Sequence, residues 1–475
     1  MEGFESAGVW WLPTAPEARV VGLLRYSDSD GFRLEIPFGL LGEMGDFADR
    51  LNASTRTPLV HGQLRNGKTV TLVEAVLTFS NLSFPGACRE EHRALKGYVG
   101  QVEADANPQV DQLRVRYSHL RDWVVRHPAT CSRAIEGDRL APAVDYRYEA
   151  PEPADIASGD GWRLRLSHIA TQSAPSVTGF RVDHDCVLTL ELDEPLDLEA
   201  IETRFLAPLW QFLSFCLDRS VDTTSLSIRV AENEEWLEVG RAQTVSSKRD
   251  DVVFEPFMLL PMPQLGERLG AIMEQWFAFK GDECRAVSLM VGLSSERSVP
   301  SDLKFLAAAQ ALEAMSRVGA NETELTEDEF QRRLTVMSEA IPEPRVRDWA
   351  ARKLQYANQR SAGELLRDLL TAVGDYPGSV APDLDKFLSD LRNNRNFYTH
   401  RDDRRVGELL APGELFVLTQ GLILLLKAAT LHRLGFSAQE ISAAMNDCQG
   451  SLQWRQRVAE QYAVAGDLGL TRGST

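Results

Sequence analysis

Apolar residues recur at every second position in three segments of the first half of the chain. The segments are Phe32, Leu34, Ile36 and Phe38; Trp162, Leu164 and Leu166; and, less regularly, Val187, Leu188 and Leu190. Clusters of Gly, Pro, Asp and Ser separate them. A period of two is typical of strands with one buried face. The pattern predicts an antiparallel β-rich, sandwich-like domain with a helical insert at residues 207–217.

The apolar spacing becomes helical beyond residues 245–263. Apolar residues then recur at three-residue steps, at Leu303, Leu306, Ala309, Leu312 and Met315. Ser301 and Asp302 are expected to cap this helix. Further helices are predicted over residues 265–279, 283–296, 327–340, 346–358, 362–373, 383–398 and 413–434, the last closed by Gly435. We therefore predict an α+β multidomain protein, with a β-rich domain over residues 1–255 and an all-α helical bundle over residues 262–466.

The overall charge limits the partners that the chain can bind. It carries 69 acidic and 51 basic residues, a net charge of −18 and a pI near 5.0. Because phosphate contacts need Lys and Arg, this excess of acid disfavours a protein that coats nucleic acid. Any nucleic-acid site must therefore be local.

Cysteine usage and apolar runs indicate the compartment. The six cysteines are scattered singly, without a CxxC pair or the spacing of a disulfide framework. The first residues lack the basic start and apolar stretch of a secretory signal. The most apolar run, residues 415–431, is interrupted by Thr419, Gln420 and Lys427, which favours a buried helix over a membrane span. We expect a cytoplasmic protein with no membrane partner.

The string from Gly62 to Thr69 matches the phosphate-loop pattern GxxxxGKT letter for letter. A phosphate loop must open a helix, whose first amides point at the phosphates. Here strand-like β-branched residues follow Lys68, and Asn66-Gly67 is a favoured type I′ hairpin turn. We therefore predict paired strands over residues 60–64 and 68–73 rather than an NTPase site.

An Arg-x4-His spacing occurs four times, so the spacing alone identifies no site. The pairs are Arg56/His61, Arg114/His119, Arg163/His168 and Arg395/His400. The first three lie in strand-like segments and are expected at a sheet surface or core edge. Arg395/His400 instead ends a predicted amphipathic helix, among charged neighbours Arg392, Arg401, Asp402, Asp403, Arg404 and Arg405. From the residues alone, a solvated helix end with paired charges explains this cluster about equally well.

Four segments occur in an order that points to a known family. They are Trp10-Trp11-Leu12-Pro13, the hairpin from Val60 to Leu72, Phe305-Leu306 through Ala311-Leu312-Glu313, and Leu391 through His400. In this order the chain resembles the ApeA-like branch of the HEPN family over nearly its whole length. The resemblance implies a β-rich ApeA N-terminal domain, a helical HEPN ribonuclease domain, and action in bacterial antiphage defence by abortive infection.

The resemblance also implies RNA cleavage without a metal or another cofactor. The RNA supplies its own 2′-hydroxyl as nucleophile, which leaves a 2′,3′-cyclic phosphate and a 5′-hydroxyl. His400 is the candidate acid or base, because imidazole titrates nearest to neutral pH. Arg395 is the candidate that stabilises charge on the phosphate, with Asn396 orienting the site and Tyr398 supporting it.

A regular helix would misalign these residues. At 3.6 residues per turn, Arg395 and His400 lie about 140° apart, whereas Arg392, Asn396 and His400 share a face. Either the helix ends near Tyr398, so that His400 swings back, or Arg392 shares the phosphate-binding role. A break near Tyr398 is the structural prediction that follows from the first alternative.

Partners follow from the same resemblance. One Arg/His pair per chain is few for phosphoryl transfer, so we expect a homodimer or a larger even-numbered oligomer whose motifs face each other. RNA, either tRNA or another cellular RNA, is the expected substrate, and a phage-derived molecule the trigger. Glu313 either holds a motif arginine or is an ordinary surface carboxylate. The alternative function is a catalytically inactive HEPN-type dimerisation or interaction module with a β-rich ligand-binding domain.

Overall fold

The structure is a computed structural model, and it describes residues 1–41, 56–81, 86, 88–125, 128–132, 135–136, 139–140, 145–174, 181–232, 234–242, 251–295, 299–400 and 407–463. The chain divides into two compact units. The first comprises Met1–Leu213, Val221–Val253 and Pro261–Phe277. The second comprises Ser214–Ser220, Phe254–Leu260 and Ala278–Thr475.

The described part of the first unit contains antiparallel strands throughout. They are β1 (Phe4–Leu12), β2 (Ala15–Ser27), β3 (Gly31–Ile36), β4 (Arg56–Leu64), β5 (Thr69–Asn81), β6 (Arg89–Ala94), β7 (Lys96–Gly100), β8 (Gln109–Tyr117), β9 (Ala129–Ser132), β10 (Ile135–Glu136), β11 (Arg139–Leu140), β12 (Asp145–Tyr148), β13 (Ala154–Gly159), β14 (Trp162–Gln172), β15 (Val182–Asp197), β16 (Thr223–Val230) and β17 (Trp236–Arg241).

Six strands close into a barrel, because β5 pairs with both β4 and β6. Around the ring the order is β5, β4, β1, β2, β3, β6 and back to β5. Successive side chains of a strand point to opposite faces, so alternation fills the interior with apolar groups. Phe32, Leu34 and Ile36 are fully buried there beside Trp10, while Phe38 lies beyond the strand and is exposed. The predicted antiparallel β-rich domain is confirmed, and a closed barrel is the form that it takes.

The same sheet continues outward from β5. Its further strands follow in the order β7, β17, β16, β8, β15, β14 and β13. The inward positions Trp162, Leu164 and Leu166 of β14 are buried, as are Leu188 and Leu190 of β15. The period-two pattern therefore identified these strands correctly.

Short helices interrupt this half of the chain. They are α1 (Leu120–Val124), α2 (Leu198–Ile201), which runs through a π-helical turn (Glu202–Leu206) into α3 (Ala207–Cys216), α4 (Met262–Leu265) and α5 (Leu269–Phe277). The predicted insert at residues 207–217 is α3. The helix predicted over 265–279 is shorter and preceded by a separate turn.

The string that resembles a phosphate loop is a hairpin, as predicted. β4 and β5 pair directly across it, and Lys68 Nζ donates to Glu238 at 3.1 Å. The predicted type I′ turn is wrong, because within the turn only Gly67 has a left-handed φ, of 86°. The Gly67 N–H donates to the Leu64 carbonyl, which makes a three-residue loop with a left-handed glycine at its end. The string opens no helix, so it offers no helix N-terminus to a phosphate.

The described part of the second unit is helical. Its helices are α6 (Asp282–Ser295), α7 (Ser301–Arg317), α8 (Glu327–Ala340), α9 (Pro344–Leu354), α10 (Ala362–Val373), α11 (Tyr376–Val380), α12 (Leu384–His400), α13 (Pro412–Arg433), α14 (Ala438–Asp447) and α15 (Gln449–Gln461). The predicted all-α bundle is confirmed. The sequence reading missed α11, α14 and α15, although Ser437 and Glu440 form a capping box at the start of α14.

Helix α7 begins differently from the prediction. Pro300 occupies the N-cap position and no side chain caps the helix, so the expected cap by Ser301 and Asp302 is wrong. Both residues lie inside the first turn, where proline before them already fixes an extended entry. Of the apolar positions predicted for this helix, Ala309, Leu312 and Met315 are buried, whereas Leu306 is partly buried and Leu303 is exposed.

Helix α13 forms the centre of the second unit. By length and composition it could cross a membrane, yet 72% of its most apolar 18-residue stretch is buried inside the protein. Helices α7, α10, α11, α14 and α15 pack against it. Lys427 on this helix is buried and pairs with Asp218, so its charge is compensated. The predicted buried helix is thus what the structure shows.

Candidate functional site

Helix α12 carries the candidate site and is anchored by one buried stripe. Phe387 and Leu391 are buried along that stripe. Near the C-terminal end, the half-buried Tyr398 packs its ring 6.0 Å from that of Phe305 on α7. Burial and the nearby carboxylate of Asp302 raise the pKa of Tyr398. The packing of α12 on α7 therefore decides which face of α12 is exposed.

The helix runs without interruption through His400, so the predicted break near Tyr398 is wrong. A regular helix places Arg395 and His400 about 140° apart. Arg392 and His400 are exposed and Asn396 is partly exposed, on one face of α12. The second alternative, in which Arg392 joins the site, is the one that this geometry favours.

Arg395 is held against α7 by a carboxylate. Its Nη2 donates to Glu313 Oε2 at 3.2 Å, and its Nη1 donates to Asn396 Oδ1 at 3.3 Å. The side chains of Arg395 and Glu313 are 36% and 20% exposed. The contact expected between Glu313 and a motif arginine is thus present, and it leaves the guanidinium at the rim of the exposed face.

Asn394 is a residue of this region that the sequence reading missed. It is fully buried. Its Nδ2 donates to the Asp390 carbonyl at 2.8 Å, and its Oδ1 accepts from the Leu410 N–H at 3.3 Å. The second bond ties the site helix to the segment that follows it in the chain. The sequence signal was an Asn in the apolar stripe of an amphipathic helix, three residues after Leu391. A buried amide must be hydrogen-bonded, so such a position indicates a specific partner.

The charged cluster around the motif is described only in part. Arg401, Asp402, Asp403, Arg404 and Arg405 lie outside the described residues. Arg392 and Arg395 are the cations of the proposed site that the structure does describe. No group of three or more potential metal ligands occurs among the described residues of α12 and its neighbours.

The other three Arg-x4-His pairs lie in the first unit. His61 is buried, with Nδ1 3.1 Å from Thr71 Oγ1. Arg114 stacks 4.0 Å above the Trp236 ring. His119 lies just beyond β8 rather than on it, as the N-cap residue of α1. These pairs are part of the sheet and its edges.

Arg163 and His168 are separated on β14 as well. Arg163 pairs with Asp155 at 3.8 Å. His168 contacts His184 on the neighbouring strand, with 3.4 Å between ring nitrogens. Arg395/His400 is therefore the pair that lies on a helix.

Two family models match the chain. The model described as ApeA N-terminal domain 1 matches residues 5–276, more than half of the 475 residues. The model described as Apea-like HEPN matches residues 306–440, which contain Glu313 and the whole of α12. No curated protein and no solved structure matches.

We expect Asn394→Ala to destabilise the helical unit by about 1–3 kcal/mol, because the Leu410 amide would lose its acceptor and the Asp390 carbonyl would lose its side-chain donor. Chemical denaturation measures this loss, and hydrogen exchange should show faster exchange at the Leu410 amide. Thr399→Ala, an exposed position on the same helix, is the matched control. Equal denaturation midpoints for the two variants would contradict the anchoring role of Asn394.

Proposed function

Because this chain belongs to the ApeA family, with an ApeA N-terminal domain 1 followed by an ApeA-like HEPN domain, we propose that it is a HEPN endoribonuclease of bacterial antiphage defence. The HEPN match supports a defence nuclease at the level of the family. The observation that carries the proposal for this chain is the exposed face of α12, where Arg392, Asn396 and His400 align beside Arg395.

His400 is the proton-transfer group in this proposal. It is exposed on the last turn of α12, where it can reach a substrate. Imidazole both accepts and donates a proton near neutral pH, so it can take the proton of the 2′-hydroxyl or give one to the leaving 5′-oxygen. Attack of the 2′-oxygen on phosphorus breaks the bond to the 5′-oxygen. The products are a 2′,3′-cyclic phosphate and a 5′-hydroxyl.

Arg392 and Arg395 are the phosphate-binding groups. On a regular helix Arg392 lies between Arg395 and His400 around the axis, about 60° from the first and about 80° from the second. A phosphate bound by Arg392 therefore lies within reach of Arg395, while His400 points away from Arg395. Guanidinium groups bind phosphate oxygens in two-pronged geometry and remain charged. The contact with Glu313 limits the rotamers of Arg395 and holds it for this task, and no metal ion is required.

We expect His400→Ala to lower the rate of RNA cleavage by about 100-fold to 10,000-fold in the presence of EDTA, because a positioned acid or base is lost. Arg392→Lys and Arg395→Lys should each impair cleavage, since lysine keeps the positive charge but cannot bind a phosphate in the two-pronged geometry of a guanidinium. Gel assays with end-labelled RNA measure these rates. RNA with a 2′-deoxy sugar at the cleaved position should remain intact.

His432→Ala and Arg457→Ala are matched controls on other helices of the same unit and should cleave like the wild type. Uncut RNA with the wild type, or equal cleavage by His400→Ala, would leave a catalytically inactive interaction module as the function. If Arg392→Lys cleaved normally and Arg395→Lys did not, Arg395 alone would bind the phosphate.

The active form in this proposal is a homodimer or a larger even-numbered oligomer. Arg395 and His400 diverge on one straight helix, so a second copy facing the first can bring its arginines to the His400 of its neighbour. Each composite site then uses His400 of one copy and Arg392 and Arg395 of the other.

Mixing two inactive variants tests this arrangement. We expect His400→Ala mixed with the double variant Arg392→Ala/Arg395→Ala to recover about a quarter of wild-type cleavage, since half of the dimers are mixed and each has one intact site. Light scattering reports the oligomer, and each variant alone is the control. Monomeric wild type, or a mixture as inactive as its components, would refute the composite site.

We place this nuclease in the cytoplasm, where cleavage of tRNA or another cellular RNA halts an infected cell. The β-rich domain is the proposed sensor of a phage-derived trigger. Infected cells expressing the wild type should stop growing and release fewer phages, whereas cells expressing His400→Ala should release as many as cells without the gene. Plaque counts and growth curves measure both. A wild type as permissive as His400→Ala would contradict the defence role.

A further inference from the structure

Three potential metal ligands converge on two neighbouring strands of the first unit. His168 of β14 and Cys186 of β15 are cross-strand partners, and His184 precedes Cys186 by two residues. Residues two apart on a strand share a face, so the three side chains lie on one side of the sheet. Cys186 is fully buried and the two histidines are partly buried.

The spacing of the ligand atoms is that of a tetrahedral zinc site. His168 Nδ1 and His184 Nε2 are 3.4 Å apart. Cys186 Sγ lies 3.6 Å from the first nitrogen and 3.9 Å from the second. Zinc at about 2.05 Å from nitrogen and about 2.3 Å from sulfur separates its ligands by about 3.3 Å for N–N pairs and about 3.5 Å for N–S pairs. The three atoms therefore need to move by only a few tenths of an ångström.

A hydrogen bond to Tyr148 orients the ring of His184 so that its Nε2 faces the other two ligands. Its Nδ1 lies 2.9 Å from the Tyr148 hydroxyl, which leaves Nε2 to face His168 and Cys186. Metal-binding histidines usually engage their other ring nitrogen in this way, which fixes the orientation of the ring. The rings of His168 and His184 are stacked, with centroids 5.2 Å apart.

The surroundings of Cys186 do not make it a reactive thiolate. The nearby carboxylates are themselves paired, Asp185 with Arg116 and Asp122 with Arg121, each at 3.6 Å. Burial, with help from Asp185, raises the pKa of Cys186 to about 12. A thiol in that state is a poor nucleophile, so a Cys–His catalytic pair is disfavoured. A bound zinc ion would displace the proton and hold the thiolate.

We propose that His168, His184 and Cys186 bind one zinc ion, with a fourth coordination position open to water or an incoming ligand. Mixed imidazole and thiolate ligands suit zinc among the common metals, and three protein ligands with a free position are typical of sites that bind further ligands. The site lies in the β-rich unit and does not depend on the proposed ribonuclease activity.

The test measures metal in the tag-free full-length protein. We expect about one zinc per chain by mass spectrometry of the elements, and none after prolonged chelation. Cobalt(II) added to the stripped protein should give the intense visible bands of tetrahedral coordination and a thiolate charge-transfer band. Cys186→Ser should lose the charge-transfer band, and His184→Ala should weaken cobalt binding at least 10-fold.

Two further variants make the result decisive. Cys284→Ser changes an exposed cysteine elsewhere and should bind metal like the wild type. Tyr148→Phe keeps every ligand and should weaken cobalt binding by about 10-fold to 100-fold, which separates loss of orientation from misfolding. A stripped wild type that gave no cobalt spectrum, or Cys186→Ser with the wild-type spectrum, would overturn the proposal.

Discussion

The helical unit is organised by the need to cover one long apolar helix. From Leu418 to Leu431 helix α13 is buried almost throughout, with Leu418, Leu422 and Leu425 at or near zero exposure. A helix that is apolar all round must be surrounded by other elements, and α7, α10, α11, α14 and α15 supply that cover. Its polar members are satisfied internally: Thr419 and Thr430 donate to carbonyls one turn earlier, and Lys427 pairs with Asp218. Thus the helix that looks most like a membrane span is the central core helix of this unit.

The exposed face of the site helix follows from this packing. Helix α12 buries one stripe, which carries Phe387, Leu391 and Asn394. Phe387 lies beside Gly421 of α13, with its ring 5.1 Å from that of Tyr462. The buried amide of Asn394 adds direction to the apolar contact, because rotation of α12 would leave its two hydrogen bonds unmade. In this orientation Arg395 lies close enough to Glu313 of α7 to donate a hydrogen bond to its carboxylate. The geometry of the candidate site is a consequence of core packing.

Sequence patterns predicted the strands and helices better than the turns and helix ends between them. Period-two and helical spacing predicted the strands around Phe32 and Trp162 and most helices of the second unit, because burial imposes those periods directly. Barrel closure was invisible, since it depends on β5 pairing with both β4 and β6, contacts between distant segments. The turn at Gly67 and the start of α7 were misread because short loops are set by one or two dihedral angles. The His168–His184–Cys186 cluster requires the register of β14 and β15, which no local pattern specifies.

The straight course of α12 changes how the Arg-x4-His spacing is understood. Four intervening residues on a regular helix cannot direct both side chains at one phosphate, so the spacing has chemical meaning only if a third group or a second chain completes the site. Arg392 lies eight residues before His400, which is slightly more than two helical turns, so the two side chains lie on the same face of α12. The contact with Glu313 meanwhile turns Arg395 toward the edge. Both facts favour a site assembled across a symmetric contact, where residues that diverge within one chain converge with those of its copy.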